Sequence, residues 1–220
     1  MWVRIPPGAP SINNVMLIHE LKGYKLDPLY VLLQNSDSLE DFKENLTREG
    51  YLEIVQGVGY YSVVFAQPNN NEYVVKLFHR DRGYEAFLRA VAAKPGIYLP
   101  RIKGRPISLK SLGKHDWRLL RIERLEAIKY GDLNKIKTYN TMKLWTGNPH
   151  IRDDQLKFVR QSYLEVKNQQ EEINNNFPGL YDTCKYIRNF SGEAFHIDLH
   201  RENIMFRGDT PVITDPYSYN

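Results

Sequence analysis

The spacing of apolar and polar residues divides the chain into strand-like and helix-like stretches. Short β-branched and aromatic runs separated by glycine- or asparagine-rich turns predict strands, whereas apolar residues three or four apart predict amphipathic helices. The predicted strands are residues 51–55, 62–65, 73–78 and 118–122. The predicted helices are residues 27–33, 36–48, 84–93, 132–144, 153–173 and 180–189. The remaining C-terminal residues, 194–219, return to short strands and loops.

This order of elements predicts an α+β protein in which a strand-rich N-terminal part precedes a helix-rich C-terminal part. The first three strands follow one another through short connections, which is typical of an antiparallel meander. For the helix at 36–48, Asp37 or Ser38 is the expected N-cap, and Gly50 is the expected stop.

Composition narrows the classes of protein to consider. The 220 residues are 42% hydrophobic and 25% charged, as in ordinary soluble globular proteins. The net charge is +4, but the basic residues are scattered, so nucleic acid is not indicated as a partner. The single cysteine, Cys184, permits no intramolecular disulfide and fits the cytoplasm. No stretch approaches the about 18 apolar residues of a membrane span, and nothing predicts the oligomeric state.

The N-terminal 15 residues are predicted to be an irregular extension. Residues 1–10 hold three prolines and a glycine and have no periodicity. Residues 3–6 (VRIP) are what the T-arm of a tRNA gene yields when it is read as codons. Our hypothesis is that the reading frame opened inside a tRNA gene, a common insertion point for phages, and that Met16 rather than Met1 is the natural start.

A lysine on the third predicted strand stands among apolar residues. Strand alternation puts Lys76 on the same face as Val74 and Phe78, where an ammonium is costly unless an anion meets it. Ahead of this strand, Gly57, Gly59 and Ser62 form a GxGxxS turn between strands; glycines there let backbone N–H groups approach phosphate oxygens.

Oxygen-bearing side chains gather near the C-terminal end of the sequence. Asp198 and Asn203 lie five positions apart, and Asp215 follows after a short hairpin with Gly208 and Asp209 as its turn. That hairpin makes Asn203 and Asp215 neighbours, so both can reach one metal. Oxygen ligands are what Mg²⁺ prefers, and the segment therefore predicts a magnesium site with Asp198 beside it.

These residues resemble the catalytic loop of protein-kinase-like enzymes in its HxDLHxxN form, which small-molecule kinases and some atypical protein kinases share. The form is carried by His196, Asp198, Leu199, His200 and Asn203. With residues 203–206 and 213–216, the segment is more similar still to the early serine/threonine protein kinases of T-odd (autographiviral) bacteriophages. The resemblance extends over about residues 54–219.

The resemblance implies a two-lobed kinase-like fold. The N-terminal lobe would be an antiparallel sheet that binds nucleotide, and the C-terminal lobe a mainly helical, truncated catalytic unit. The lobes would span 16–125 and 126–220, after the extension at 1–15. The implied activity is transfer of the γ-phosphoryl group of ATP, with Mg²⁺, to serine or threonine of host proteins in the bacterial cytoplasm.

The resemblance also implies roles for single residues. Asp198 would orient the acceptor hydroxyl, and Asn203 and Asp215 would bind magnesium. Lys76 would clamp the α- and β-phosphates. His200 would either contact the transferring phosphate or scaffold the loop, and both roles stay open; His196 is expected to pack within the loop.

Three further nucleotide contacts are expected. The turn with Gly57, Gly59 and Ser62 would cover the phosphates. Glu85, on the next helix, would pair with Lys76, although a solvent-facing Glu85 fits equally well. The stretch from Glu123 to Leu125, after a buried strand, would link the lobes and bind adenine through its backbone.

Two alternatives to a protein kinase remain. A small-molecule kinase of the aminoglycoside or choline kinase type shares His200 and the spacing of Asp198 and Asn203; autophosphorylation would argue against it. A catalytically dead kinase-fold binding module is the other, but retention of Lys76, Asp198, Asn203 and Asp215 together argues against decay.

Overall fold

The computed structural model describes residues 28–54, 62–79, 81–112, 115–147, 163–192 and 195–218. The helices are α1 (Pro28–Gln34), α2 (Leu39–Arg48), α3 (Arg82–Ala93), α4 (Leu133–Thr146), α5 (Tyr163–Asn176) and α6 (Leu180–Ser191). The strands are β1 (Leu52–Glu53), β2 (Ser62–Gln67), β3 (Asn70–His79), β4 (Ile102–Leu112), β5 (His115–Glu123), β6 (His196–Ile197), β7 (Ile204–Arg207), β8 (Thr210–Ile213) and β9 (Tyr217–Ser218). These elements agree with the predicted α+β class.

A five-stranded antiparallel sheet with the order β1-β2-β3-β5-β4 occupies the N-terminal half. The predicted meander is its β1-β2-β3 part, and β4 is an edge strand that the apolar pattern did not predict. Pro106 lies in β4, where the register also shifts between Lys103 and Ile107. Proline lacks the N–H of a ladder and is tolerated at edges and bulges, so this strand carries no regular alternation.

Apolar side chains cover both faces of β3. On one face Val75 and Leu77 join a cluster with Leu29, Phe42 and Leu46 of α1 and α2. On the other face Val74 and Phe78 join the larger cluster, which α3, α4, α6 and the C-terminal strands complete. The central strand is therefore buried on both sides, and the prediction that Lys76 shares a face with Val74 and Phe78 is confirmed.

Cys184 lies in the same larger cluster. Its thiol is fully buried on α6, and burial raises its pKa to about 12.

No helix in the described ranges is long and apolar enough to span a membrane.

Side-chain caps fix where the helices begin. The Ser38 hydroxyl accepts a hydrogen bond from Asp41 N at 3.0 Å, so α2 starts at Leu39, and Ser38 rather than Asp37 is the cap. Asp81 caps α3 and Asp132 caps α4 in the same way. The predicted helix at 153–173 is described only from Tyr163 onward, as α5; its first part lies outside the described residues, as does the extension at 1–15.

Two short antiparallel pairs form the C-terminal end of the described chain. β7 and β8 pair with Ile204 opposite Ile213, through the predicted turn at Gly208, which has φ of +60°. β6 pairs with β9. The hairpin prediction is thus confirmed, and its register makes Asn203 and Thr214 neighbours, with Thr214 N donating to Asn203 O at 2.9 Å.

A buried ion pair ties β5 to β7. Arg207 donates from Nε and Nη2 to the two carboxylate oxygens of Glu123, each at 2.6 Å, and from Nη1 to the carbonyl of Ile97. The Glu123 side chain is 8% exposed. Burial alone would raise the pKa of this carboxyl, but hydrogen bonds from Arg207 and from Arg101 N outweigh burial and hold the pKa below its ordinary value.

We predict that Glu123→Gln destabilises the fold by about 1–3 kcal/mol near neutral pH, because it leaves the half-buried Arg207 guanidinium without its anion. Since the folded pKa of Glu123 is depressed, its contribution is present above the ordinary value of 4.5 and is lost as pH falls further. The difference in unfolding free energy from the unmodified chain should therefore shrink below that pH, as measured by urea denaturation across pH.

The exposed pair Arg48–Glu44 on α2 serves as the control, since its side chains are 69% and 68% exposed. Arg48→Met should cost less than about 0.5 kcal/mol. Equal losses in the two variants would contradict the importance of burial at Glu123.

Candidate active site

Lys76 and Asp215, 139 residues apart in sequence, meet in the structure. The Lys76 ammonium lies 3.1 Å from Asp215 Oδ2. The side chains are 12% and 25% exposed, so water screens this pair little. The anion that the inward-facing lysine requires is therefore supplied by the C-terminal end of the described chain.

An aromatic ring completes the surroundings of the ammonium. Lys76 Nζ lies 3.5 Å from the centroid of the Tyr84 ring, a cation–π contact. Burial alone would lower the pKa of Lys76, but Asp215 and Tyr84 outweigh burial and raise it above its ordinary value. Lys76 thus stays a cation at physiological pH. Burial also raises the pKa of Tyr84, to about 12, so its phenol stays neutral.

A second carboxylate, Asp81, belongs to the same cluster and was missed by the sequence analysis. It lies two residues after β3, accepts from Tyr84 N at 2.8 Å and caps α3. Its pKa is raised by burial and by the like charge of Asp215, and Lys76 only partly offsets this. The position of Asp81 in the sequence could have predicted this, because a helix N-cap that follows so soon after the strand with Lys76 lies near that lysine.

Backbone hydrogen bonds fix Asp215 between two points of the loop that precedes β7. Thr214 N donates to Asn203 O at 2.9 Å, and Asp198 N donates to Pro216 O at 2.8 Å. Both residues that flank Asp215 are therefore bonded to the 198–203 loop. The structure brings Asp198, Asn203 and Asp215 together as the sequence predicted.

The Asn203 amide is held by both of its hydrogens. Nδ2 donates to Asp198 O at 2.7 Å and lies 2.9 Å from His200 Nε2. The side-chain oxygen, Oδ1, forms no hydrogen bond among the described residues. We assign the amide orientation from this network, and the assignment leaves Oδ1 available as a ligand.

His200 acts here as a hydrogen-bond acceptor. Both ring nitrogens face N–H donors, since Glu202 N lies 3.3 Å from Nδ1. Nδ1 accepts from Glu202 N, and Nε2 contacts the Asn203 amide, so both ring nitrogens are engaged within the loop. These contacts place the His200 ring against Asn203, and its role toward a phosphate stays a prediction.

The site carries oxygen donors of the kind that Mg²⁺ prefers. Asn203 offers an amide oxygen, and Asp215 offers Oδ1, which Lys76 does not occupy in the ion pair. Lys76 brings one positive charge to two carboxylates, Asp81 and Asp215. No group of three or more His, Cys, Asp or Glu side chains arranged to hold a metal occurs in the described ranges.

Other residues predicted for the site have different surroundings. Glu85 pairs with Arg118 at 3.2 Å, and the close carboxylate partner of Lys76 is Asp215, so the expected Glu85–Lys76 pair is wrong. The reason is position: Glu85 lies one residue beyond Tyr84, whose ring covers the ammonium. His196 is exposed in β6, so its expected packing within the loop is also wrong.

The expected adenine-binding stretch is partly engaged within the protein. Glu123 N donates to Arg101 O at 2.9 Å, and Glu126 pairs with Phe206 through both backbone groups. Leu125 lies between these bonded residues, and its contact with adenine stays a prediction. Ser62 is the first residue of β2, whereas Gly57 and Gly59 lie outside the described residues.

A close contact presses β9 against the start of α3. A Cβ added to Gly83 would lie 2.5 Å from the carbonyl oxygen of Tyr217. The Tyr217 hydroxyl donates to Ile187 O at 2.7 Å and so anchors the strand on α6. Because Gly83 adjoins Tyr84, this contact links the strand after Asp215 to the helix that covers Lys76.

Comparison with known proteins adds one match. Residues 127–220 match the family described as Bacteriophage T7 protein kinase 0.7. The match includes Asp198, Asn203 and Asp215 but not Lys76, and it confirms the resemblance to early phage kinases for this part of the chain. None of the curated proteins matches the sequence.

We predict that Lys76→Met and Asp215→Asn each destabilise the fold by about 3 kcal/mol, because each leaves a largely buried charge without its partner. The double variant should lose less than the sum of the two, with a coupling of about 1–3 kcal/mol measured by urea denaturation. Lys137→Met, which breaks an exposed pair with Glu172 (side chains 38% and 54% exposed), is the control and should cost under about 1 kcal/mol. Strict additivity would show that the 3.1 Å contact contributes nothing to stability.

We also predict that Gly83→Ala costs about 1–3 kcal/mol, since α3 and β9 must separate to admit the methyl group. Gly96→Ala is the matched control, because nothing lies within 4 Å of the added Cβ and the φ of Gly96 is not positive. Thermal unfolding of both variants measures the difference, and an unaffected Gly83→Ala would show that the two elements do not pack as described.

Proposed function

We propose that this chain is an ATP- and magnesium-dependent phosphotransferase, a serine/threonine protein kinase of the early phage type. The observation that carries the proposal is the 3.1 Å contact between Lys76 and Asp215. This contact joins the sheet to the loop that bears Asp198 and Asn203. A triphosphate that binds to the sheet and to the loop at once requires the two to lie close together. The family match over residues 127–220 supports kinase chemistry independently of this contact.

The proposal includes a two-lobed arrangement. The sheet with α1–α3 would form a nucleotide-binding lobe within 16–125, and the helices and short strands of 126–220 a catalytic lobe. Lys76 would bind the α- and β-phosphates, so its ammonium would turn from Asp215 toward the nucleotide. Its raised pKa supports this role, because the lysine carries its charge at the pH of the cytoplasm.

The loop residues would hold the ion and the acceptor. Asn203 and Asp215 would bind magnesium, which when bound neutralises charge on the β- and γ-phosphates. The Asp198 carbonyl and His200 Nε2 both lie at Asn203 Nδ2, so Oδ1 would be left to bind the ion. Asp198, held by its N–H to Pro216, would orient the acceptor hydroxyl and take its proton.

The acceptor is proposed to be a hydroxyl of a host protein, acted on in the bacterial cytoplasm. The kinases of the matched family are described as protein kinases, which supports a protein acceptor over a small molecule. Incubation with γ-labelled ATP, magnesium and a bacterial lysate, followed by phosphoamino-acid analysis, distinguishes the two. Label on serine and threonine supports the proposal, and label confined to small molecules would replace it with the small-molecule kinase.

We predict that Asp198→Asn lowers turnover about 10³-fold or more while ATP affinity stays nearly unchanged, because the residue acts on the acceptor and not on the nucleotide. Asp209→Asn is a matched control, since this exposed carboxylate lies in the β7–β8 turn. Turnover is measured with γ-labelled ATP and affinity by calorimetry. Full activity in Asp198→Asn would overturn the assigned role.

A further inference from the structure

Helix α4 packs along the loop that carries Asp198. The Tyr139 hydroxyl donates to Leu199 O at 3.4 Å. Lys143, one helical turn later, places its ammonium 5.4 Å from the centroid of the Tyr139 ring. The charge of Asp198 acts on both side chains. A second cation thus accompanies the catalytic loop, and it comes from a helix in which the sequence analysis identified no site residue.

The Lys143 ammonium lacks a close anion. It is half-buried, and no carboxylate in the described part of the chain lies within ion-pair distance. Burial lowers its pKa, and Asp198 only partly offsets burial. An ammonium withdrawn from water without an ion-pair partner is costly, so the place beside Lys143 and Asp198 is suited to an anionic group of a ligand.

His200 does not supply the contact to a phosphate group beside Asp198. Phosphate contact was one of the two roles left open for His200, yet its ring is engaged within the loop, since Nε2 lies 2.9 Å from Asn203 Nδ2 and Nδ1 accepts from Glu202 N at 3.3 Å. Arg201, the next residue, donates from Nη2 to Lys129 O at 3.0 Å and so binds the protein backbone. Lys143 is a cation near Asp198 that has no ion-pair partner among the described residues, so it can take a phosphate.

Resting on the proposed function, we propose that Lys143 is a further catalytic residue, which contacts the phosphoryl group during its transfer beside Asp198. In that step the bond between the γ-phosphorus and the β–γ bridging oxygen breaks, and its electron pair leaves with ADP. The acceptor oxygen forms the new bond to phosphorus, and its proton passes to the Asp198 carboxylate. The ammonium stabilises the negative charge on the moving phosphoryl oxygens.

The test compares Lys143→Met, Lys143→Arg and the control Lys137→Met on the same helix. Lys143→Met should lower kcat about 100-fold, as loss of one charge-stabilising donor does in other enzymes. Its ATP affinity should be unchanged, because the contact forms only as the phosphoryl group moves, and its melting temperature should not fall, because no ion-pair partner of Lys143 among the described residues is lost. Lys143→Arg, which keeps the charge, should recover most of the activity, and Lys137→Met should retain all of it.

Each other outcome has a distinct meaning. If the unmodified chain transfers phosphate and Lys143→Met does so equally well, the role of Lys143 is overturned while the proposed function stands. Loss of activity that arginine does not restore, together with a lower melting temperature, would make Lys143 a packing residue and also overturn it. If the unmodified chain labels no acceptor, the proposed function and the role of Lys143 fall together.

Discussion

The charge of Lys76, in the middle of the sheet, determines which groups must meet at the site. Both faces of β3 are covered, so Lys76 can remain charged only if an anion and a polarisable ring reach it from elsewhere. Asp215 and Tyr84 provide them, at 3.1 Å and 3.5 Å. Asp215 reaches this position because the last strands pack against α3. Gly83 has no Cβ and therefore allows β9 to approach the start of α3 closely.

The same arrangement sets up an exchange of partners. Lys76 and Asp215 satisfy each other in the structure; under the proposed function, Lys76 would turn to the nucleotide and Asp215 to the metal. Asp81 adds a second carboxylate beside the one positive charge of Lys76. His200 and the Asp198 carbonyl both contact the Asn203 amide nitrogen, and under the proposed function this fixed amide would need less reorganisation to bind a metal.

Much of this could be predicted from sequence, because the signals were local. The spacing of Asp198, Asn203 and Asp215 around a two-residue turn determines their proximity, and strand alternation fixes the face of Lys76. The missed features depend on tertiary packing. Whether Glu85 or another carboxylate reaches Lys76 depends on how α3 is rotated, and the approach of Lys143 depends on how α4 lies on the loop. Strand β4 escaped prediction since Pro106 interrupts its pattern.

The reactivity of Cys184 can report how often the core of the folded chain opens. It is the sole thiol in the sequence, and it lies at full burial where α6 meets the rest of the large apolar cluster. A thiol reagent can modify it only in molecules whose core has opened, so the rate of modification measures how often that opening occurs. Ligands that bind only the folded chain would slow the reaction without any engineered probe.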